Sequence, residues 1–498
     1  MTQIKIAKNE NEINLELGQA NRHGLIAGAT GTGKTITLKV LAEQFSKAGV
    51  PVFMSDVKGD ISSIAEAGSI NDKIQERIDM MKIDDYKNNA FPVTLFDVFQ
   101  KTGVPVRTTI TEMGPLLIGK LLDLNNTQLG VLDIVFKVAD ESGLLLIDMK
   151  DFKALLKEIN ENRAEYAEKY GNISSASIGA IQRALLRLES EGAETFFGEP
   201  ALQLEDFIKF DESGRGMINV LDASVLYQKP KLYATFLLWL LSELFESLPE
   251  VGDPEKPKIV FFFDEAHLLF NDSSKELIEK VEQVVRLIRS KGVGIYFVTQ
   301  NPIDIPESVL GQLGNRVQHA LRSYTPKDQK AIKSAAQTFR QNKSFDTAQV
   351  IGELKTGEAL ISFLNDEGQP NVVERAFIRP PESKIGVIDE SVKKDLIDNA
   401  PLNETYKETF DRESAYEMLQ NKIEKQPEEE PKTKKSTSTK KETTSKKKEK
   451  PSQFQKETTS KKKEKPSQFQ KETSKFLSTV GRQIGREIVR NIFGTKRR

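Results

Sequence analysis

The residues best suited to chemistry form a glycine-rich run directly after an apolar segment at residues 25–27. The run fits the pattern G-x-x-x-x-G-K-[ST] and consists of Gly28, Ala29, Thr30, Gly31, Thr32, Gly33, Lys34 and Thr35. A helical pattern begins at Ile36, so the glycines can turn backbone N–H groups onto phosphate oxygens at a helix N-terminus. Lys34 is expected to span the β- and γ-phosphates, and the Thr35 hydroxyl to bind Mg²⁺. The run therefore predicts a binding loop for ATP with Mg²⁺.

Two carboxylates, Asp264 and Glu265, follow five apolar residues of a predicted buried strand. Acidic residues at the carboxyl end of such a strand face the nucleotide crevice. We therefore expect Asp264 to hold the Mg²⁺ shell and Glu265 to orient or deprotonate the attacking water. The pair predicts a hydrolytic site rather than a kinase or a switch GTPase.

Three further residues are candidates for the same site. Gln300 ends the strand that follows Glu265, and we expect it to sense the γ-phosphate. Arg316 and Arg322 lie on or near the next predicted strand. Either arginine could be a finger that reaches the phosphate of a neighbouring subunit, and either could instead form a surface salt bridge.

Other interpretations of these motifs fail on spacing or on missing partners. A dinucleotide-binding loop that starts at Gly31 would need a glycine where Ile36 stands, although Asp56 lies roughly where a ribose-binding acid would. His267 completes the letters D-E-A-H, but the next strand ends in Val-Thr-Gln-Asn-Pro at residues 298–302 rather than in Ser-Ala-Thr. We therefore reject a DEAH-box helicase and expect His267 to pack against a neighbour. A transport ATPase is disfavoured because no Leu-Ser-Gly-Gly-Gln precedes Asp264.

Short apolar runs alternate with amphipathic segments up to about residue 380, which predicts an α/β fold with a mainly parallel sheet. We expect a RecA-like P-loop NTPase with strands at residues 25–27, 52–55, 93–97, 216–221, 259–263, 294–299, 316–321, 359–363 and 372–377. The predicted organisation is an ATPase core at residues 1–98 and 214–380, a helical insertion at 99–213, a polar helical extension at 381–430, a disordered Lys-rich linker at 431–475 and a basic amphipathic helix at 476–498.

Composition excludes several classes of site. The 498 residues include no cysteine and three histidines, so disulfides, thiolate zinc sites and His-rich metal sites are not expected. No secretory signal is visible, and the most apolar helical segment, residues 232–248, contains Glu243 and Glu246. We expect that segment to be a core helix, membrane association to be absent, and the protein to be cytoplasmic.

The end of the chain differs sharply in charge from the rest. Residues 432–498 contain 22 Lys and Arg against 6 Asp and Glu, a net charge of +16 that leaves −17 for the remaining chain. Residues 442–456 are repeated without change as residues 457–471, and proline interrupts each copy. Beyond them, apolar residues recur every four positions from Phe476 to Ile492. We expect a solvated basic arm followed by a helix that binds an apolar surface, which could be the ATPase body, a groove on a partner or a membrane interface. The ATPase body or a neighbouring subunit is the favoured surface.

Five stretches together resemble a known group: GATGTGKT at residues 28–35, SDVKGD at 55–60, FFFDEAHLLF at 261–270, VTQNP at 298–302 and LGNRVQHALRSYTPKDQ at 313–329. In these motifs the chain is similar, over about residues 10–380, to the bacterial HerA-like ATPases of the HerA/FtsK superfamily. The resemblance implies a hexameric ATPase, helicase or translocase, that moves DNA through a central channel without sequence preference.

One feature of archaeal HerA proteins is not expected in this chain. They carry a β-barrel before the P-loop, whereas 27 residues precede Gly28, which is too few for a barrel. The regulatory and nuclease-partner roles associated with that barrel are therefore not expected.

A second class of function stays open beside the motor, a P-loop ATPase switch or scaffold that remodels a protein assembly without moving DNA. Turnover stimulated by DNA would favour the motor.

The basic arm generates the first testable prediction. If residues 432–471 neutralise DNA phosphates, the affinity for duplex DNA should fall by about 0.9 log unit per contact for each tenfold rise in salt. Deleting these residues should weaken DNA binding at low salt and flatten this slope, while basal ATP hydrolysis stays unchanged. The measurement is a salt titration of DNA affinity. Removal of residues 476–498 is the matched control, since it should disturb assembly instead. An unchanged salt slope after the first deletion would favour the scaffold.

Overall fold

A computed structural model describes residues 2–271 and 275–424, and in this part of the chain twelve strands form one sheet. The sheet order is β2-β1-β12-β11-β10-β3-β9-β8-β4-β7-β5-β6. In chain order the strands are β1 (Gln3–Lys8), β2 (Glu12–Glu16), β3 (Gly24–Ala27), β4 (Val52–Asp56), β5 (Val93–Asp97), β6 (Val104–Pro105), β7 (Ile218–Asp222), β8 (Ile259–Phe263), β9 (Val293–Thr299), β10 (Asn315–Gln318), β11 (Glu358–Ser362) and β12 (Glu374–Ile378).

The sheet is parallel around β3, β8 and β9, the strands that the predicted site residues follow. From β10 through β3, β9, β8, β4, β7 and β5 to β6, every neighbouring pair is parallel, whereas β11, β12, β1 and β2 add an antiparallel edge. All nine predicted strands are present, with ends shifted by a few residues. The α/β fold class with a mainly parallel sheet is therefore confirmed.

Strands β1, β2 and β6 were not predicted from the sequence. The first two form a hairpin whose signal was present, because Ile4 and Ile6 alternate with polar residues and are buried. β6 is two residues long and pairs with β5 at the far edge. Its existence depends on its neighbour, so no periodicity could have predicted it.

Fifteen α-helices accompany the sheet in the described residues, and five of them, α3 to α7, lie in sequence between β6 and β7. The helices are α1 (Lys34–Lys47), α2 (Asp72–Met81), α3 (Ile110–Leu121), α4 (Asn126–Ser142), α5 (Met149–Glu161), α6 (Arg163–Tyr170), α7 (Ser175–Ser190), α8 (Pro230–Ser247), α9 (Lys275–Ile288), α10 (Glu307–Leu310), α11 (Pro326–Gln337), α12 (Thr347–Glu353), α13 (Glu390–Asp398), α14 (Asn403–Tyr406) and α15 (Ala415–Glu424). The predicted basic linker and terminal amphipathic helix lie outside the described residues.

Helix α8 is the apolar segment that was predicted to be a core helix. Residues 232–242 are all buried, and the Trp239 ring meets Phe196 and Phe236 at 5.6 and 5.7 Å between centroids. No helix of the described residues is long and apolar enough to span a membrane.

Both faces of the central strand β8 are covered. Ile259, Phe261 and Phe263 enter one hydrophobic cluster, while Val260 and Phe262 enter the other. A strand buried on both faces needs continuous apolar sequence, which is why five apolar residues occur in a row. The chain can become polar only where β8 ends, at the carboxyl edge of the sheet.

Buried His23 gives the fold an acid-sensitive point. Its Nδ1 accepts a hydrogen bond of 3.1 Å from the Ile295 N–H, and burial lowers its pKa from 6.5 to about 4. Between these two pH values the unfolded chain binds the proton that the folded chain does not. The contribution of neutral His23 to the free energy of unfolding should therefore be complete above pH 6.5. Below pH 6.5 the free energy of unfolding should fall, by at most about 1.4 kcal/mol per pH unit from this group.

Urea unfolding at pH 7 and pH 5 measures this effect. His23→Asn should reduce the difference between the two pH values, because an amide does not titrate and asparagine tolerates the positive φ of 58° found here. The same pH difference in the variant and the wild type would contradict the assignment.

Candidate nucleotide-binding site

The glycine-rich loop lies between β3 and α1 at the carboxyl edge of the sheet. The N–H groups of Gly28 and Ala29 donate to the carbonyls of Thr299 and Ala320, at 3.3 and 2.9 Å. These bonds attach the loop to the end of β9 and to the segment just after β10, the two strands that flank β3. The remaining loop N–H groups are left at the N-terminus of α1, where an anion binds favourably.

Two of the loop glycines cannot be replaced without strain. Gly33, which caps α1, has a φ of +116°, and a Cβ there would lie 3.1 Å from the Cα of Gly357. A Cβ on Gly28 would lie 2.5 Å from the Cβ of His319. The motif needs glycine here because the loop backbone touches its support.

Lys34 lies folded over the loop that precedes it. Its Nζ donates to the carbonyls of Gly28 at 2.6 Å and Ala29 at 3.1 Å. Burial lowers the pKa of Lys34, while the charges of Asp264 and Glu265 oppose that change. The ammonium group therefore lies between the phosphate loop and the two carboxylates.

The carboxylate pair follows β8 as the sequence predicted. Burial, together with the charge of Glu265, raises the pKa of Asp264 to about 7 against the opposing charge of Lys34. Glu265 has a left-handed backbone with a φ of +50°, which turns the chain away from the strand. The Tyr233 hydroxyl of α8 donates to the Asp264 carbonyl at 3.0 Å. The core helix thereby holds the turn that presents both acids.

Asp264 differs from the aspartates that end the neighbouring strands. Asp56 accepts hydrogen bonds from four backbone N–H groups of residues 59–62, at 2.6 to 3.2 Å, and so builds the loop after β4. Asp97 organises the loop after β5 in the same way. In the described residues the Asp264 carboxylate accepts one hydrogen bond, from the Glu265 N–H at 2.9 Å. Its remaining lone pairs are available to a cation.

Gln300 links the acidic pair to the phosphate loop. Its Nε2 donates to Glu265 Oε1 at 3.0 Å, and its Oε1 lies 3.5 Å from the Thr30 hydroxyl. On the other side of Glu265, His267 Nδ1 lies 3.3 Å from Oε2. Glu265 is therefore hydrogen-bonded to the Gln300 amide and has the His267 imidazole beside it without a hydrogen bond.

A cleft of about 410 Å³ brings these predicted residues together. Its walls include Thr30, Gly31, Gly33, Lys34, Thr35, Asp264, Glu265 and Gln300. The hydroxyl of Thr35 and the carboxylate of Asp264 fit Mg²⁺, which takes few protein oxygens and completes its shell with water and phosphate. Residues 2–271 and 275–424 contain no cluster of three or more His, Asp or Glu side chains suited to a metal ion.

The two predicted finger arginines lie outside this cleft and differ from each other. Arg316 is half-buried, and its guanidinium donates to the carbonyls of Leu310 at 2.9 Å and Leu313 at 3.0 Å. Arg322 is exposed, with one hydrogen bond of 3.0 Å to the Gly352 carbonyl. Arg322 therefore has more free donors for a partner than Arg316.

Two residues that the structure brings to the site, Lys58 and His319, were not predicted as site residues from the sequence. Lys58 lines the cleft from the loop that Asp56 organises, and its charge acts on both Lys34 and Asp264. His319 packs against the phosphate loop, because a Cβ on Gly28 would lie 2.5 Å from the Cβ of His319. Its ring lies between α1 and β11, with Nε2 2.8 Å from the Thr37 hydroxyl and Nδ1 3.0 Å from the Glu358 carbonyl. Lys58 follows a strand end, so its position was a usable signal. His319 lies in the stretch at residues 313–329 that carries the family resemblance, but no spacing there indicated that its side chain meets the phosphate loop.

The fold and this cleft define a P-loop NTPase of the RecA-like type. A family model described as "Helicase HerA-like C-terminal" matches residues 2–498. The chain therefore belongs to this HerA-like family, and the resemblance found in its motifs is confirmed.

Curated relatives include proteins named "DNA double-strand break repair helicase HerA". The protein from Sulfolobus acidocaldarius is 23% identical over 377 residues, which are 72% of this chain and 65% of the relative. The protein from Sulfurisphaera tokodaii gives 23% over 375 residues, with the same shares. The chain thus spans about 65% of the length of the curated relatives that it matches.

Solved structures agree on the fold. The plasmid coupling protein TrwB in complex with the ATP analogue ADPNP has a TM-score of 0.51 at 13% identity, covering 79% of this chain and 92% of that one. TrwB with ADP and Mg²⁺ has a TM-score of 0.50 at 13% identity, with 79% and 91% covered. A nucleotide and Mg²⁺ are therefore bound by proteins of this fold.

The contrast between Arg316 and Arg322 can be tested by stability. Arg316→Ala removes the donors to three backbone carbonyls in a half-buried setting, so we expect it to lower the free energy of unfolding by about 1–3 kcal/mol. Arg322→Ala is the matched control and should change stability by less than about 0.5 kcal/mol, because it is a surface substitution. Urea unfolding at neutral pH measures both. If the two substitutions lowered the free energy of unfolding equally, the contacts of Arg316 would not be structural.

Proposed function

We propose that this protein is an ATP-hydrolysing motor of the helicase or translocase type that acts on DNA as a hexameric ring. The observation that carries the proposal is the single cleft in which the phosphate loop, Asp264 and the Glu265–Gln300 pair converge. Membership of the HerA-like family and relatives named as DNA repair helicases support DNA as the partner.

In this proposal the phosphates of ATP lie on the loop at residues 28–35. Lys34 releases the loop carbonyls that it now contacts and donates to the β- and γ-phosphates instead. Thr35 and Asp264 hold Mg²⁺, which neutralises charge on the phosphate oxygens when it is bound. Lys58 adds a second cation at the same end of the cleft.

Glu265 is the proposed general base. Its carboxylate takes a proton from the attacking water, and the backbone turn at Glu265 fixes the direction of the side chain. Gln300 holds Oε1 from the phosphate-loop side. Gln300 also lies 3.5 Å from the Thr30 hydroxyl of the phosphate loop. The loss of the γ-phosphate would therefore reach Glu265, the general base, through the side-chain amide of Gln300.

The ring supplies the remaining charge. Arg322 is the favoured finger toward a neighbouring subunit, since its guanidinium is exposed and has one protein contact in the described residues. Such a residue stabilises the charge that develops on the transferred phosphoryl group. The site would then be complete only between two subunits.

Glu265→Gln tests the proposal. The amide cannot accept the proton, so we expect hydrolysis to fall by roughly 100-fold or more while ATP binding persists. Lys34→Ala should instead weaken nucleotide binding. ATPase rates with and without duplex and single-stranded DNA, together with nucleotide affinity, are the measurements. Turnover of Glu265→Gln at the wild-type rate would overturn the role of Glu265.

The same assay separates the motor from the switch or scaffold. Stimulation of the wild-type rate by DNA supports the motor, and a rate that DNA leaves unchanged supports the scaffold. Mixing Arg322→Ala with Lys34→Ala protein should restore part of the activity, because one composite site then has both wild-type residues. No recovery, together with a monomeric mass under ATP, would contradict the ring.

A further inference from the structure

A segment after β12 returns to the nucleotide cleft. We call residues 382–389 the strap. The buried Glu43 side chain of α1 fixes its beginning, since Oε2 accepts from the Glu382 N–H at 2.9 Å and Oε1 accepts from the N–H and hydroxyl of Ser383 at 3.0 and 2.6 Å. The strap is therefore attached to the same helix that begins at the phosphate loop.

The middle of the strap is held on both sides of Ile385. The Lys384 carbonyl accepts a hydrogen bond from Lys39 Nζ at 2.6 Å and lies 3.0 Å from the Ser63 hydroxyl oxygen. The Gly386 carbonyl accepts from the same hydroxyl at 2.6 Å. The backbone on each side of Ile385 is thus fixed, so its side chain has little freedom to find cover elsewhere.

The far end of the strap is also anchored. Glu66 accepts a hydrogen bond of 2.7 Å from the Asp389 N–H, and it forms a salt bridge of 3.1 Å with Lys384. Lys384 bridges in turn to Asp389 at 2.6 Å. A segment with these anchors along its length presents a fixed surface.

That surface is apolar and open where it meets the cleft. Ile385 is 50% exposed although its backbone is fixed, and both Ile385 and Gly386 line the cleft. Ile36 and Ile61 line the same cleft, so it has an apolar part besides its phosphate-binding part. A Cβ on Gly386 would meet nothing within 4 Å, which leaves the strap backbone open to a flat ligand.

We propose that the strap forms the base subsite of the nucleotide cleft, with Ile385 packing against the face of the purine whose phosphates lie on residues 28–35. This inference rests on the proposed function, because it needs a nucleoside triphosphate in the cleft. The strap carbonyls of Lys384 and Gly386 already accept hydrogen bonds, so the subsite recognises the base by packing rather than by its polar edge. The affinities for ATP and for GTP should therefore depend on Ile385 to a similar extent.

The test compares a nucleotide with a ligand that has no base. Ile385→Ala should weaken binding of a non-hydrolysable ATP analogue by about ten-fold, the scale of one lost apolar contact. Binding of inorganic tripolyphosphate with Mg²⁺ should stay unchanged, and Ile385→Leu should restore the affinity for the analogue. Calorimetric titration of the full chain measures all three.

Val387→Ala is the matched control, because Val387 is 62% exposed on the same strap and does not line the cleft. It should leave both affinities unchanged. Equal weakening of the analogue and of tripolyphosphate by Ile385→Ala would overturn the inference, as would an unchanged affinity for the analogue. If the wild-type protein binds neither ligand, the proposed function itself fails. If it binds both and Ile385→Ala has no effect, only the base subsite fails.

Discussion

The burial of β8 on both faces is the constraint on which the site depends. Alternate side chains of this strand enter the two hydrophobic clusters, so neither face can carry a charge. The first position that tolerates a carboxylate is the end of the strand, where Asp264 stands. Because the neighbouring strands are parallel, their carboxyl ends meet at the same edge. The phosphate loop after β3 therefore lies beside the acids after β8, with one strand between them.

At that edge the same residue type has two uses. Asp56 and Asp97 use their carboxylates to build the loops that follow their strands, and burial of their oxygens among N–H groups leaves them no part in the chemistry. Asp264 accepts one such bond in the described residues and faces the cleft. The difference comes from the next residue, since the left-handed turn at Glu265 carries the following N–H groups away from Asp264.

The cleft is closed by parts of the chain that lie far apart in sequence. Glu43 and Lys39 of α1 hold the strap at residues 382–389, and His319 after β10 supports the loop at Gly28. The antiparallel edge makes this possible, because β11 and β12 bring the chain back to the sheet after β10. A nucleotide that touches both the loop and the strap would connect the two ends of the ATPase core.

The sequence by itself determined the phosphate loop, the acidic pair and the nine main strands, because each depends on local spacing or on a run of apolar residues that burial requires. It also indicated Gln300, which follows a strand that could be recognised. The tertiary structure alone decided that Asp56 is a loop-building residue, that the guanidinium of Arg316 is occupied by backbone carbonyls, and that His319 and Ile385 reach the site. The roles of His319 and Ile385 arise from contacts with parts of the chain hundreds of positions away, and no local pattern encodes which distant partner a side chain will meet. Asp56 and Arg316 contact residues three to six positions away, but the sequence pattern does not reveal the backbone turns that bring these partners within reach.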